Sequence, residues 1–488
     1  MRCPPASLAL LVLACSGAVR RGDTVILASG ADLQGPNPLL TVHPLARQVQ
    51  RYALLVTLIR YDSTLTPAPY FARAWSWSPD RTTLTFRIYR GLSWHDGIPT
   101  TARDAAWTLD AARNPETGYP RRNDLADLVE VAAPDDSTLV LRFGQAQAGV
   151  PDVLADLAIL PRHLLERVPL AALRTARWNQ RPIGNGPFRF VSHQPNRRWV
   201  FEANPAFPAE LGGPPRVRRF VIAVVDEPTT KLAALTSEEL DFAGINPAHA
   251  EFVRRDSRLR VLEYPLLFSY ALVFNTRRPP FDRLENRRAV AAAVDRRAIV
   301  DGVLFGYGTA ATGPVPPELS AHALAGSSPQ GAPSAGSSVQ PSDRSTVRPS
   351  PPPALRFELL TVGSGEAALE QMLQAQLATI GIRPDIRQLE LSTFLERVQG
   401  PSHDFDAAVM GLPGDPGLGH LVHLVSLTGL RTEAGGERLV RLIEDSVPAT
   451  FLYHARGVQG MNRRVRGVRM DLRGELVTLN QWWLADDR

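Results

Sequence analysis

Lysine is almost missing from this chain. Lys231 is its single occurrence in 488 residues, so arginine supplies nearly all of the 54 basic side chains. The net charge of +5 is therefore an arginine charge, spread along the chain and not gathered on one face. Dispersion of that kind, with no nucleic-acid motif, excludes a nucleic-acid-binding protein. An acidic or membrane partner is one reading of the excess; an arginine-biased composition is the other. Cysteine is equally scarce, with only Cys3 and Cys15. Apolar runs are short: none approaches the roughly 20 residues of a membrane-spanning helix. No nucleophile elbow, Walker loop or dinucleotide fingerprint occurs, so no cofactor is implied and a catalytic role has little behind it. His420 and His423 could share a helix face, but a metal needs three or four ligands and only Asp415 is near in sequence. No metal site is expected. His95-Asp96 has the look of half a triad and is read as a turn.

The N-terminus reads as an export signal. Arg2 is a minimal positive region and Leu8 to Leu13 a short apolar core, so residues 1–21 are expected to be a signal or lipoprotein segment. Cys15 closes the apolar run as Val12-Leu13-Ala14-Cys15, the pattern in which the thiol is acylated. Ordinary cleavage after Ser16-Gly17-Ala18 is the rival. Removal of Cys3 with the signal leaves no cysteine pair for a disulfide.

What is present is regular secondary structure. Leu84, Phe86 and Ile88 alternate with polar residues, the period of a half-buried strand. Asp96-Gly97 turns the chain, and Thr101 with Asp104 forms a capping pattern ahead of a helix through Ala105 and Leu109. Thr24 to Ala28 is a strand. His43 to Ile59 reads as a helix, with Leu45, Val49, Tyr52 and Val56 on one stripe. A chain of 488 residues is too long for one core, so two or three lobes are expected. Gly326 to Pro353 is serine, proline, glycine and alanine, a composition that supports no core and reads as a disordered insert.

The ordered set Ala74-Trp75, Asp80, Thr85-Phe86, Arg90-Gly91, Trp94-His95-Asp96-Gly97, Ala102 and Asp104 resembles the opening signature of the family 5 extracellular solute-binding proteins, the peptide- and nickel-binding group of ABC importers. Ile183-Gly-Asn-Gly-Pro-Phe188, Phe274-Asn-Thr276 with Pro279-Pro-Phe-Asp282, and Asp404-Phe-Asp406 resemble later blocks. The chain departs from the family at Asn185, where threonine or serine is usual, and at Glu238, which stands in a glycine's place. A residue with a side chain there costs on the order of 1 kcal/mol if the backbone is left-handed.

The resemblance implies an α/β, two-lobed periplasmic-binding-protein-like fold of the large three-domain type, with mixed sheets and an interlobe cleft. After the signal, lobe I would comprise residues 22–50, 170–266 and 457–488. A peripheral domain would span 51–169, and lobe II 267–456 with the insert 326–353. Two crossings, near Tyr264–Ala271 and Phe451–Arg456, would join the lobes. The implied function is the substrate-binding component of an ABC importer. It would be a monomer, exported to the periplasm or cell surface, that delivers a peptide or other amine-bearing solute to permease subunits. The shortened 416–446 region motivates the alternative, a degenerate copy with an interaction role. The expected ligand-binding residues are Asp32 from lobe I and Phe268, Tyr270, Tyr307, Gly363, Gly414 and Asp415 from lobe II. The aromatics would wall the cleft, the glycines allow close approach, and Asp415 would receive an amine or serve as a turn residue. The loop Thr361–Glu366 holds no arginine for a peptide carboxylate, which argues against a small zwitterionic peptide.

Overall fold

A computed structural model describes residues 22–41, 43–319, 355–363, 367–414, 418–430 and 436–485. Cys15, Asp415 and the segment 326–353 lie outside them. The alternating stretch forms the strand Thr83–Ile88, with Leu84 and Phe86 fully buried. It pairs with Ala72–Trp77 and Thr138–Phe143 in a four-stranded antiparallel sheet. The helix Ala102–Arg113 packs on this sheet. The hydroxyl of Thr101 accepts the Arg103 amide at 3.2 Å, and Asp104 accepts the Thr101 amide at 2.8 Å. The capping pattern read from the sequence is therefore formed.

The main body is one 11-stranded mixed sheet. At one end Thr24–Ser29 lies parallel to Arg219–Val224, followed by the hairpin of Arg198–Ala203 and Phe188–Gln194. At the other end Arg356–Val362 lies parallel to both Arg383–Leu389 and Ala407–Pro413. Two long antiparallel strands, Leu259–Phe274 and Ala449–Asn462, run through both ends and join them. The ends have separate cores. One end has a core on Phe188, Phe220, Phe242 and Trp482; the other has two, one with Phe274 and Phe281 and one with Phe394 and Phe405.

The joining strands are not in uniform register. Pro265 faces Arg456 and Ser269 faces His454, so Leu266, Leu267 and Phe268 stand against Ala455 alone. Such a bulge bends a strand and re-aims its side chains. It falls where the chain passes from one lobe to the other.

The helix expected over His43–Ile59 is shorter. It is α-helical only over Pro44–Val49, widens to a π turn over Gln50–Leu54 and is extended at Leu55. The Leu54 carbonyl explains the stop. It accepts the amides of Asn185 at 3.1 Å and Gly186 at 2.9 Å and so is withdrawn from the helical ladder. The two glycines make this approach possible. A Cβ at Gly184 would lie 2.0 Å from the Leu54 oxygen, and one at Gly186 2.4 Å from the Ala53 oxygen.

Candidate functional site

A cavity of about 690 Å³ opens between the lobes beside the bulge. Leu266 and Leu267 of the first joining strand, with Pro413 and Gly414, form one wall. The short helix from Pro44 forms the opposite wall, with Arg47, Arg51 and Tyr52 facing in. Arg60, Tyr61, Arg121 and Asp152–Asp156 close a third side, and the segment Asp471–Gly474 a fourth. The volume is in the range of small-ligand sites.

The polar wall is built on Asp156. Its carboxylate is bonded by Arg47, by Arg51 at 2.6 Å and by Arg121 at 2.8 Å. Burial pushes its pKa up, but the Arg51, Arg47 and Arg121 guanidiniums outweigh burial and hold it well below the usual carboxylate range. The Tyr61 hydroxyl donates to Asp152. Burial and the Asp152 charge both raise the phenol pKa, so Tyr61 stays protonated. Arg473 closes on Asp471 at 2.6 Å and donates to the Tyr61 carbonyl at 3.1 Å. Beside this segment the half-buried Glu475 accepts the Tyr264 hydroxyl at 2.6 Å, which ties it to the first joining strand; loss of solvent around the carboxyl raises its pKa.

Of the residues expected in the site, Gly414 lines this cavity. Its amide donates to the Leu267 carbonyl at 2.7 Å, and a Cβ there would sit 3.3 Å from that oxygen. Phe268 and Tyr270 do not line it. The bulge breaks the alternation of the strand, so the neighbours Leu266 and Leu267 both line the cavity and Phe268 does not. Phe268 covers Gly411, and Tyr270 stacks on Tyr453 at 4.9 Å. Tyr307 lines a smaller cavity of about 360 Å³ with Arg254, Glu263 and Phe305. Gly363, at φ +146°, is exposed and follows the end of its strand.

Asp32 is a loop pin. One oxygen takes the Trp199 indole at 2.6 Å and the Leu33 amide at 2.8 Å, the other the Asn196 amide at 2.7 Å and His193 at 3.0 Å. Burial raises its pKa, and the bonds from Trp199, Asn196 and His193 bring it below the ordinary value.

His95 is structural too. Its Nε2–H donates to the Gly186 carbonyl at 3.0 Å while Nδ1 accepts the Gly184 amide at 3.2 Å. That pattern requires the neutral ring.

The arginine wall was not singled out in the sequence. Arg47 and Arg51 are four apart, so they share a helical face, but the apolar stripe drew the reading. Arg121 and Asp156 come from distant segments and meet only on folding.

The chain matches the bacterial extracellular solute-binding proteins, family 5, over residues 66–421. It is 32% identical over 256 residues to a Brucella ovis protein assigned to the peptide-binding proteins of ABC transporters. That match takes in 52% of this chain and about half, 47%, of the relative. It is 27% identical to the di/tripeptide-binding protein 2 of Pseudomonas aeruginosa, over 84% of this chain and 80% of that one. The oligopeptide-binding protein AppA of Bacillus subtilis, solved with a nonapeptide, superposes with a TM-score of 0.74 at 20% identity, covering 95% of this chain and 99% of that one. That likeness establishes the two-lobed periplasmic-binding-protein fold. On its sequence match and its architecture, the chain belongs to the family 5 bacterial extracellular solute-binding proteins.

Proposed function

We propose that this protein is the substrate-binding component of an ABC importer, which captures a peptide or other amine-bearing small solute between its lobes and presents it to a membrane permease. The observation that carries this reading is the cavity of about 690 Å³ walled by both lobes at the joining strands. The names of its relatives support the same class. A solute bound there contacts both lobes and favours the conformation in which they approach. The chemistry is binding alone, with no bond of the solute broken. The cavity weighs against a degenerate copy that has lost its ligand wall. The division into lobe I, peripheral domain and lobe II at the boundaries given above is part of this proposal, and the separate cores support it.

The test is mass spectrometry of solute retained on the purified protein, followed by calorimetry with that solute. Saturable one-to-one binding is expected. A protein that retains nothing and gives no heat with peptide mixtures is not a solute carrier. Among the described residues no helix is long and apolar enough to cross a membrane. We further propose that the exported chain is anchored by lipid at Cys15. Cys15→Ser should then move the protein to the soluble fraction; a variant that stays with the membrane at unaltered mass excludes the anchor.

A further inference from the structure

Arginines that stand far apart in the sequence meet at the end of lobe I away from the bulge. Arg260 lies at the start of the first joining strand, and Arg463 and Arg466 come just after the second. The three repel one another: burial, and then the Arg466 and Arg463 charges, lower the Arg260 pKa. Among the described residues none of the three has a carboxylate within ion-pair distance. The carboxylates beside them hold other arginines. Asp241 takes Arg464 at 2.7 Å, and Asp256 and Glu238 each take Arg258 at 2.8 Å. Arg463 is fixed in place, with its Nε–H on the Leu259 carbonyl at 2.7 Å, and both Arg463 and Arg466 are exposed. The short strand Val465–Arg466 pairs with Trp483–Leu484, which sets Trp483 directly across from Arg466. Side chains so opposed share a face, and Trp483 is 41% exposed. The N-terminal strand starts at the same place. Arg464, between the two exposed arginines, donates to the Thr24 carbonyl at 2.9 Å. A tether from Cys15 therefore joins the body beside this patch. Thr24 is nine residues after Cys15, a reach of at most about 30 Å. Arg20 and Arg21 lie in that tether, and Asp486, Asp487 and Arg488 follow the last strand, so the flanking sequence adds no excess of acid.

We infer that this end of lobe I is a membrane-contact face, on which Arg260, Arg463, Arg466 and Trp483 meet an anionic phospholipid surface. Three features select that partner. An exposed tryptophan suits the headgroup level of a bilayer, where one side of its ring is apolar and the other wet. Arginines beside it are attracted by anionic headgroups. The root of the tether brings the face within reach of the bilayer that an acylated Cys15 would enter, and a basic patch is a common second signal beside a lipid anchor. The cleft lies farther along the same joining strands, clear of this face. The inference takes its geometry from the Cys15 proposal above, but its test does not depend on the anchor.

The experiment is co-sedimentation of the exported chain in soluble form, as Cys15→Ser where the unaltered protein is anchored, with phosphatidylcholine vesicles that contain or lack phosphatidylglycerol. At low salt the protein should sediment with the phosphatidylglycerol vesicles only, and added salt should release it. Arg466→Gln should weaken this binding roughly fivefold, the effect of one basic side chain near an anionic surface. Arg466→Lys should keep it, because charge and not a planar fork is recognised. Trp483→Ser should weaken it without altering its salt dependence. Arg383→Gln makes the same change of net charge on the exposed edge strand at the other end of the sheet, and should leave the binding as it was. Equal sedimentation with both vesicle types, or sedimentation with neither, overturns the inference. So does an Arg383→Gln as weakened as a folded Arg466→Gln, which would mean that net charge alone drives the binding. Capture on heparin without vesicle binding would assign the patch to a soluble acidic partner and overturns it too. Each of these failures leaves the cleft-binding reading and the Cys15 anchor standing, because neither is needed for the protein to sediment with vesicles.

Discussion

Glu238 shows what one side chain in a glycine's place costs. The helix Pro228–Thr236 ends at Ser237, and Glu238 follows with φ +61°, the left-handed conformation in which helices commonly stop on glycine. The departure from the family pattern is therefore a strained residue. Its carboxylate bonds Arg258 at 2.8 Å, but both groups are about half exposed and such pairs contribute little. Two variants separate the effects. Glu238→Ala loses the ion pair and keeps a Cβ at positive φ; Glu238→Gly loses both. Glu238→Gly should be more stable than Glu238→Ala by about 1 kcal/mol in urea denaturation. Equal midpoints would mean that the backbone relaxes there at no cost.

Elements are joined here by neutral polar contacts as well as by cores. His95, in the Trp94–Gly97 turn, bridges to Gly184 and Gly186, whose loop in turn stops the helix from Pro44 beside the cleft. Burial lowers the His95 pKa from 6.5 to about 4. As pH falls below about 6.5 the unfolded chain takes up a proton that the folded chain refuses, so stability falls until the pH reaches about 4 and is level below. His454, buried against Ser269, has its pKa lowered likewise to about 4 and adds a second such contribution. The difference between the unaltered protein and His95→Gln isolates His95. Between pH 7 and pH 4 the unaltered protein should lose about 3 kcal/mol more than the variant. Parallel pH profiles would show that the folded His95 ring takes up its proton as readily as the unfolded one. The strands and the capping box were legible in the sequence because each depends on neighbours in the chain: alternation at Leu84, Phe86 and Ile88, and Thr101 three before Asp104. The helix length was not, because Asn185 and Gly186, far along the chain, take the Leu54 carbonyl. Phe268 and Tyr270 were drawn from the strand that lines the cavity and lie outside its lining. Parity against the cleft is set by the bulge at Leu266–Phe268, and a bulge has no mark in a sequence read alone.

At the scale of the whole molecule, two strands hold the lobes together, and their register shifts at two places, between Pro265 and Ser269 and between Tyr270 and Ala271. Between Pro265–Arg456 and Ser269–His454 the ladder is interrupted, and Leu266 and Leu267 turn into the cleft at that point. On either side the strands are locked into separate cores, so the interrupted stretch is where the lobes can change angle at least cost. A solute spanning the cleft would touch Leu267 and Gly414 on one lobe and the arginine wall on the other. Such a solute differs in its contacts between open and closed forms, the condition for shifting a conformational equilibrium. Small-angle scattering on the protein stripped of solute and on the same sample with its retained solute restored should therefore show a smaller radius of gyration when bound. Replacing Gly414 by Val should weaken both the binding and the contraction, because a side chain there meets the Leu267 carbonyl at the mouth of the cleft. Saturable binding with an unchanged radius would describe a rigid cleft, and would move the hinge away from the interrupted ladder.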